Sequence, residues 1–442
     1  MRSLLALTLT AGLAAQSPAA LLKPQPPRAY AALKALTALG PRLTGSLNAA
    51  KAHAWARARF AALGLETGEM AFPLAHTWTR GRAAASLDGR PIRLAQWGWT
   101  PGTAGAVTAP LVLLRTPADL TRLKDRLKGA IVLAAGPSVQ LDPPEMAPPL
   151  KEHRKAPAED GFPVEALLPQ LKAAGALAVL TDAGKSKGRL NMNSPWKLDP
   201  QGLPVAFVAH PDYGRLCAAE GRPLRLALGG AFGPPGQVRV TWAELKGATD
   251  PGTCVLLGAH LDSWDLATGA TDNGAGVASV LEAARLLVKA HAKPARSIRF
   301  VLFGGEEQGY LGSLAYAKAV DLSRLSAVFV MDTGAGAIDG FALQHRPQAA
   351  QVLAPLLAPL KPLGVTETDL RDEGGTDFVP FDRMGVPAFC AEQIQHDYAA
   401  IHHSADDTLA HVRPAELEQA ARVMAYTAWR VADLPGLLPR ER

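Results

Sequence analysis

From Val238 onward the chain alternates short apolar runs with amphipathic stretches, and this rhythm limits the folds open to it more than any other feature. Cys254–Leu257, Ile298–Phe303 and Ala327–Met331 have strand length, whereas Gly276–Lys289 and Gly312–Ala319 have helical length. Within Gly276–Lys289, Val277, Val280, Leu281, Ala284 and Leu287 recur at three- and four-residue steps and give one face to lay on a sheet. Strands that alternate with helices form largely parallel sheets, because a parallel neighbour needs a crossover and a helix is the usual crossover. The expected class is therefore mixed α/β, a largely parallel sheet flanked by helices.

Upstream the texture differs. Tyr30–Leu39 and Asn48–Leu63 carry Ala, Leu, Trp55 and Phe60 at helical spacing, with Gly64 as a C-terminal cap. Between Gly105 and Gly230, apolar runs at Val107–Leu114, Ala130–Ala134, Leu177–Leu180 and Val205–Val208 are joined by Pro- and Gly-rich connections, which reads as an inserted β-rich module. Its middle, Pro137–Pro163, is rich in Pro, Lys and Glu and is expected to be a long exposed loop. Met1-Arg2 followed by apolar Ser3–Ala15 and small residues has the layout of a secretory signal peptide, cleaved between Ala14 and Ala20. The expected division is a leader over 1–20, an N-terminal part of the α/β domain over 21–104, the insert over 105–232 and the remainder of the α/β domain over 233–442. The expected location is secreted or periplasmic.

Charge and cysteine content exclude more than they assign. A formal charge of +6 over 442 residues, with basic residues scattered, argues against nucleic acid. No run after the leader is long and apolar enough to span a membrane. Three cysteines allow at most one disulfide, and Cys254 and Cys390 sit in apolar runs as buried thiols.

Chemistry gathers at strand ends. His260 and Asp262 follow the first run, Glu306 and Glu307 the second, Asp332 the third, and Glu392 follows Val386–Cys390. Ligands of open α/β sheets collect at the carboxyl ends of strands. With Asp272 and the pair His402-His403, this makes a set of imidazoles and carboxylates without a partnering cysteine, a mixture that suits zinc with an open position for hydrolysis.

These residues fall in motifs that resemble the dizinc exopeptidases of metallopeptidase family 28. They are GAHLDSWD at 258–265, GATDNGAG at 269–276, GGEEQG at 304–309, VMD at 330–332, GTDF at 375–378 and HHSADDT at 402–408, with PRLTGS at 41–46 similar to the family's entry motif. The wording at 258–265 is most similar to the carboxypeptidase Q branch, and the 105–232 insert resembles a protease-associated domain. The resemblance implies two zinc ions: Asp272 bridging, His260 and Asp332 on one ion, Glu307 and His403 on the other. It makes Asp262 the partner of the far nitrogen of His260, and Glu306 the general base that works with a metal-bridging hydroxide. Free peptide termini would anchor short peptides or dipeptides, and a homodimer is left open.

The sequence also departs from the family's pattern. Several relatives have Tyr before the last ligand where this chain has His402, so either His402 or Tyr398 polarises the carbonyl. His403 is taken as the ligand because it precedes Ser404. Asp377 is either a substrate-pocket residue or a helix cap, and Trp264 and Asp265 are expected to shape their loop. The function expected is an exported zinc exopeptidase; the alternatives are an inactive receptor-like relative and a glutaminyl cyclase-like acyltransferase working with one zinc.

Overall fold

The computed structural model describes residues 17–139 apart from 25 and 27, residues 141–142, and residues 163–442. The leader expected over 1–20 falls mostly, at 1–16, outside the described residues, as does most of the 137–163 loop, at 140 and 143–162.

An eight-stranded sheet organises the C-terminal half. Its centre runs Arg296–Phe303, Asp250–His260, Leu325–Met331 and Ala388–Gln393, all parallel. On one side Gly236–Leu245 and then Glu66–Leu74 are added antiparallel; on the other, antiparallel Ile338–Ala342 carries the short edge strand Glu367–Asp369. Register places Val255 between Ile298 and Ala327, and His260 opposite Phe303. Both faces are covered, as a parallel sheet requires. One face packs Ala275–Lys289 and Pro414–Ala432, with Ala29–Thr37 and Leu47–Ala61 beside them, on Val255, Leu257, Phe300 and Phe329. The other takes Leu311–Ala319 and Val379–Arg383 over Leu256, Val301, Phe303 and Val330. The expected mixed α/β class is the observed one.

A second eight-stranded sheet lies, in sequence, between Glu66–Leu74 and Gly236–Leu245 of the first. It differs from the expected module in extent and character. It reaches back to Ala83–Leu87, Arg90–Ile92 and Leu94–Gln96, residues that the division at 105 assigns to the N-terminal part of the first domain. Those strands are short, and only Leu87, Ile92, Ala85 and the Ala95-Gln96 pair are buried, so they carry little periodic signal. Its centre is parallel, from Val107–Leu114 through Ile131–Ala134 and Ala178–Asp182 to Val205–Val208. Helices Val164–Ala173 and His210–Ala218 pack on opposite faces through Leu167 and Leu171 and through Tyr213 and Leu216. Pro169 inside one helix and Pro211 in the first turn of the other hide them from a reading that treats proline as a break.

The two lobes are tied around one mouth. Arg80 grips Asp265 through two nitrogens at 2.7–2.9 Å. Arg189 Nε reaches Asp406 at 2.6 Å, and buried Lys185 Nζ donates to the Ala399 carbonyl at 3.3 Å. Trp78, Trp99 and Trp264 form a buried aromatic run between the lobes. Cys217, Cys254 and Cys390 are free, and Cys254 and Cys390 are buried as expected. Among the described residues no helix is long and apolar enough to cross a membrane.

Candidate metal centre

Three parallel strands end side by side and deliver their next residues to one place. His260 is the last residue of its strand, Asp332 follows Met331 directly, and Glu306 and Glu307 follow Phe303 after Gly304-Gly305. Gly304 is required by space: a Cβ there would stand 2.8 Å from the Arg239 carbonyl and 3.1 Å from His53 Nε2. Asp272 comes from the Ala270–Gly274 turn that opens the Ala275–Lys289 helix. In that turn Asn273 donates to the Met331 carbonyl at 2.8 Å and accepts from Gly276 N at 2.9 Å, tying the helix start to the strand that ends at Asp332. His402 and His403 follow the short helix Tyr398–Ile401, with His403 at φ +52, a conformation non-glycine residues seldom hold.

Asp272 stands between two groups of ligand atoms. Its Oδ1 is 3.1 Å from His260 Nε2, which is also 3.1 Å from Asp332 Oδ1. Its Oδ2 is 3.3 Å from His403 Nε2 and 3.4 Å from His402 Nε2. Glu307 Oε2 is 3.0 Å from His403 Nε2. His260, Asp272 and Asp332 form one set able to share an ion, and Asp272, His402 and His403 another.

The donor chemistry fits divalent metal. Asp272 Oδ2 and Glu307 Oε1 are buried with no aligned hydrogen-bond donor among the described residues. Buried acceptors so left carry a desolvation penalty that a cation removes. Charge strain points the same way. Burial raises Glu307 to about 7, helped by Asp272 and opposed by His403. Burial also holds Glu306 well above the carboxylate range, with Asp332 and Glu307 adding to it against His260. His260 and His403 go the other way: burial alone would lower them, but Asp332 for the first and Glu307 for the second lift His260 well above its ordinary value and His403 to about 10. His402 is pushed down to about 3 by burial and by His403, so its imidazole is neutral.

The supporting contacts are as specific as the ligands. His260 Nδ1 lies 3.1 Å from the Asp262 backbone carbonyl and 3.6 Å from its carboxylate, so the carbonyl is the closer partner of the far nitrogen. The Asp262 carboxylate accepts from Thr44 Oγ1 at 2.9 Å and from Glu306 N at 3.3 Å. Arg42 is fully buried and donates to the carbonyls of Leu261, Thr268 and Gly269 at 2.7, 2.6 and 2.8 Å, fastening the loop between His260 and Asp272. Asp407 accepts from Thr271 N and Oγ1 at 2.6 Å and from Asp272 N at 3.1 Å. The Trp264 ring meets His403 edge-on at 5.7 Å.

Every residue named as a ligand, base or carbonyl partner from the sequence reaches this region, but two other expectations do not hold. Asp377 neither caps Val379–Arg383, whose N-cap is Phe378, nor reaches the surface of the cleft; it is fully buried, and burial raises it to about 8 against the pull of His260 and of the Ser313 side chain. Glu392 lies inside its strand, not beyond it, and pairs with Arg371 at 3.0 Å. Arg42, Thr44 and Asp407 sit in the quoted motifs at 41–46 and 402–408, yet nothing in their spacing marks them as supports.

The ligand atoms open on a cleft of about 390 Å³ between the lobes, lined by Glu306, Glu307, Asp332, Tyr398, His402 and His403 from the first lobe and by Asn193–Trp196 from the second. That size suits a small ligand.

Comparison with known proteins agrees. Carboxypeptidase Q of Pongo abelii is 32% identical over 244 residues, which cover 54% of this chain and 52% of that protein; the chain thus spans about half the length of the curated relatives it matches. The solved structure of a peptidase M28 precursor from Shewanella amazonensis SB2B superposes with a TM-score of 0.80 at 28% identity, covering 94% of this chain and 95% of that one. A zinc aminopeptidase from Bacillus subtilis has the same fold, with a TM-score of 0.68 at 23% identity over 91% of this chain and 94% of that one. The model of peptidase family M28 matches residues 241–428. That stretch contains both sets of ligand atoms, and it is a peptidase family M28 domain.

Proposed function

We propose that the protein is a zinc-dependent exopeptidase that hydrolyses short peptides, exported from the cytoplasm by the leader at 1–20. The observation that carries this reading is the Asp272 carboxylate, one oxygen turned to His260 and the other to His403. His260 and Asp332 would hold one ion, Glu307 and His403 a second, and Asp272 both. Glu307 beside His403 but not His402 supports His403 as the ligand. When bound, the ions supply Lewis acidity that polarises the scissile carbonyl and lowers the pKa of the attacking water.

The protein's own groups do the rest. Glu306 lines the cleft next to Glu307, takes a proton from the attacking water and delivers it to the leaving nitrogen. Neutral His402 and Tyr398, their rings 5.0 Å apart, both line the cleft as donors to the developing oxyanion. Asp262 holds the ring of His260, and Arg42 and Asp407 hold the turn that presents Asp272. The second lobe, in the role of a protease-associated domain, narrows the mouth and selects short substrates.

The test is one peptide series in four forms: both ends free, amine blocked, carboxylate blocked, and both blocked, incubated with zinc-loaded protein and followed by mass spectrometry. Cleavage only of dipeptides with both ends free assigns a dipeptidase of the carboxypeptidase Q kind, and tolerance of a blocked carboxylate assigns an aminopeptidase. No cleavage of any form by metal-loaded protein refutes the exopeptidase reading.

A further inference from the structure

Trp196 is the one exposed tryptophan among the described residues, with 69% of its surface open. Exposure of a single aromatic is ordinary by itself; what sets this one apart is how it is held and what it faces. It is not a loose surface residue. Its backbone N donates to Glu165 Oε1 at 2.6 Å, and its ring meets Tyr310 edge-on at 5.9 Å. The loop that carries it is anchored on both sides: Gly98 N donates to Asn193 O at 2.8 Å, Ser194 Oγ reaches Glu307 O at 3.5 Å, and Arg189 holds Asp406.

Tyr310 comes from the other lobe, on the turn that carries Glu306 and Glu307, and it adopts φ +59, left-handed for a residue with a side chain. Strain of this kind persists where a site requires it. Gly309, the residue before Tyr310, also packs on the indole: at φ +92, a Cβ there would stand 2.9 Å from it. The pair therefore forms a preset aromatic wall, half from each lobe. It lines the same cleft as Asp272, Asp332 and His403.

We infer that Trp196 and Tyr310 form a subsite for a large apolar or aromatic side chain next to the scissile bond, making Trp196 a specificity-determining residue supplied by the second lobe. The inference rests on the exopeptidase reading. Flat rings recognise such a side chain by apolar burial and edge-to-face contact, whereas a glycine has no side chain to bury there. A pocket of this kind discriminates by about 10- to 200-fold.

The experiment uses the full zinc-loaded chain and dipeptides with both ends free, in which Gly, Leu or Phe takes either position. Trp196→Ala is expected to raise KM for the Leu and Phe substrates at one position at least about tenfold more than for the Gly substrate, with kcat changed little, and Trp196→Phe to restore most of the preference. Calorimetric titration of Glu306→Gln protein with Gly-Phe and Phe-Gly, against Gly-Gly, with and without Trp196→Ala, reads the same preference without turnover. Equal losses on Gly and Phe substrates, or an unchanged preference, overturn the subsite and leave Trp196 a clamp between lobes. If wild-type protein cleaves none of the peptides but the Phe preference in binding disappears with Trp196→Ala, the peptidase reading falls and the subsite stands. If neither Phe peptide binds more tightly than Gly-Gly, the subsite falls.

Discussion

Arg42 offers the sharpest test of how the centre is held together. Two energies oppose each other there. Burial lowers its pKa to about 10 despite Asp407, Asp262, Asp272 and Glu307 nearby, which corresponds to about 3 kcal/mol against the charged form that an uncharged replacement recovers. Against this, Arg42→Met strands the buried carbonyls of Leu261 and Gly269 and the half-buried one of Thr268, each worth about 1–3 kcal/mol when left unpaired. The carbonyls win. At about 2 kcal/mol per carbonyl, less the roughly 3 kcal/mol recovered, the expected outcome is a loss of about 3 kcal/mol in urea unfolding at pH 7. The loop that Arg42 fastens runs from His260 to Asp272, so zinc affinity measured by chelator competition should also fall about 10- to 100-fold. A Met variant as stable as wild type, with unchanged zinc affinity, refutes the assignment of Arg42 as the loop's fastener.

Other residues give shorter tests. Glu306→Gln should keep fold and zinc content while turnover falls by at least about 10²-fold; full activity removes Glu306 as the base. Asp272→Ala should reduce zinc content itself by metal analysis, since both ligand sets share its carboxylate, and full zinc occupancy in that variant contradicts the bridging role. His53, buried against Thr241 Oγ1 at 2.9 Å, is lowered by burial from 6.5 to about 4. Between those values the unfolded chain binds more protons than the folded one, so stability rises with pH across that window. His53 alone should account for up to about 3 kcal/mol lost on acidification from pH 6.5 to 4. In His53→Gln that part of the slope should vanish, and an identical slope in variant and wild type would count against a buried neutral imidazole.

The candidate metal centre was legible because strand-end chemistry is local. His260, Glu306, Glu307 and Asp332 each lie within a few residues of an apolar run that forms a central strand, so finding the strand places the side chain. The second lobe was less legible for the opposite reason. Its first strands, Ala83–Leu87 and Arg90–Ile92, take their place only by pairing with each other and with Pro223–Leu228, far along the chain. Asp377 and Glu392 have the same residue type as the candidate ligands, yet Asp377 is fully buried away from them and Glu392, inside its strand, pairs with Arg371.

The sequence by itself determined the largely parallel sheet and the presence of metal-competent imidazoles and carboxylates at its strand ends, because periodicity and residue type act over a few residues; which of them would serve as ligands followed only from the resemblance of their motifs to family 28. Only the tertiary structure decided how they are used. It put Arg42, more than two hundred residues before the loop it fastens, beneath Asp272, and set Asp407 on the backbone of the same turn. It also brought Trp196 of one lobe against Tyr310 of the other. Contacts between distant segments depend on how whole layers pack, and nothing in the local pattern of either partner encodes the other.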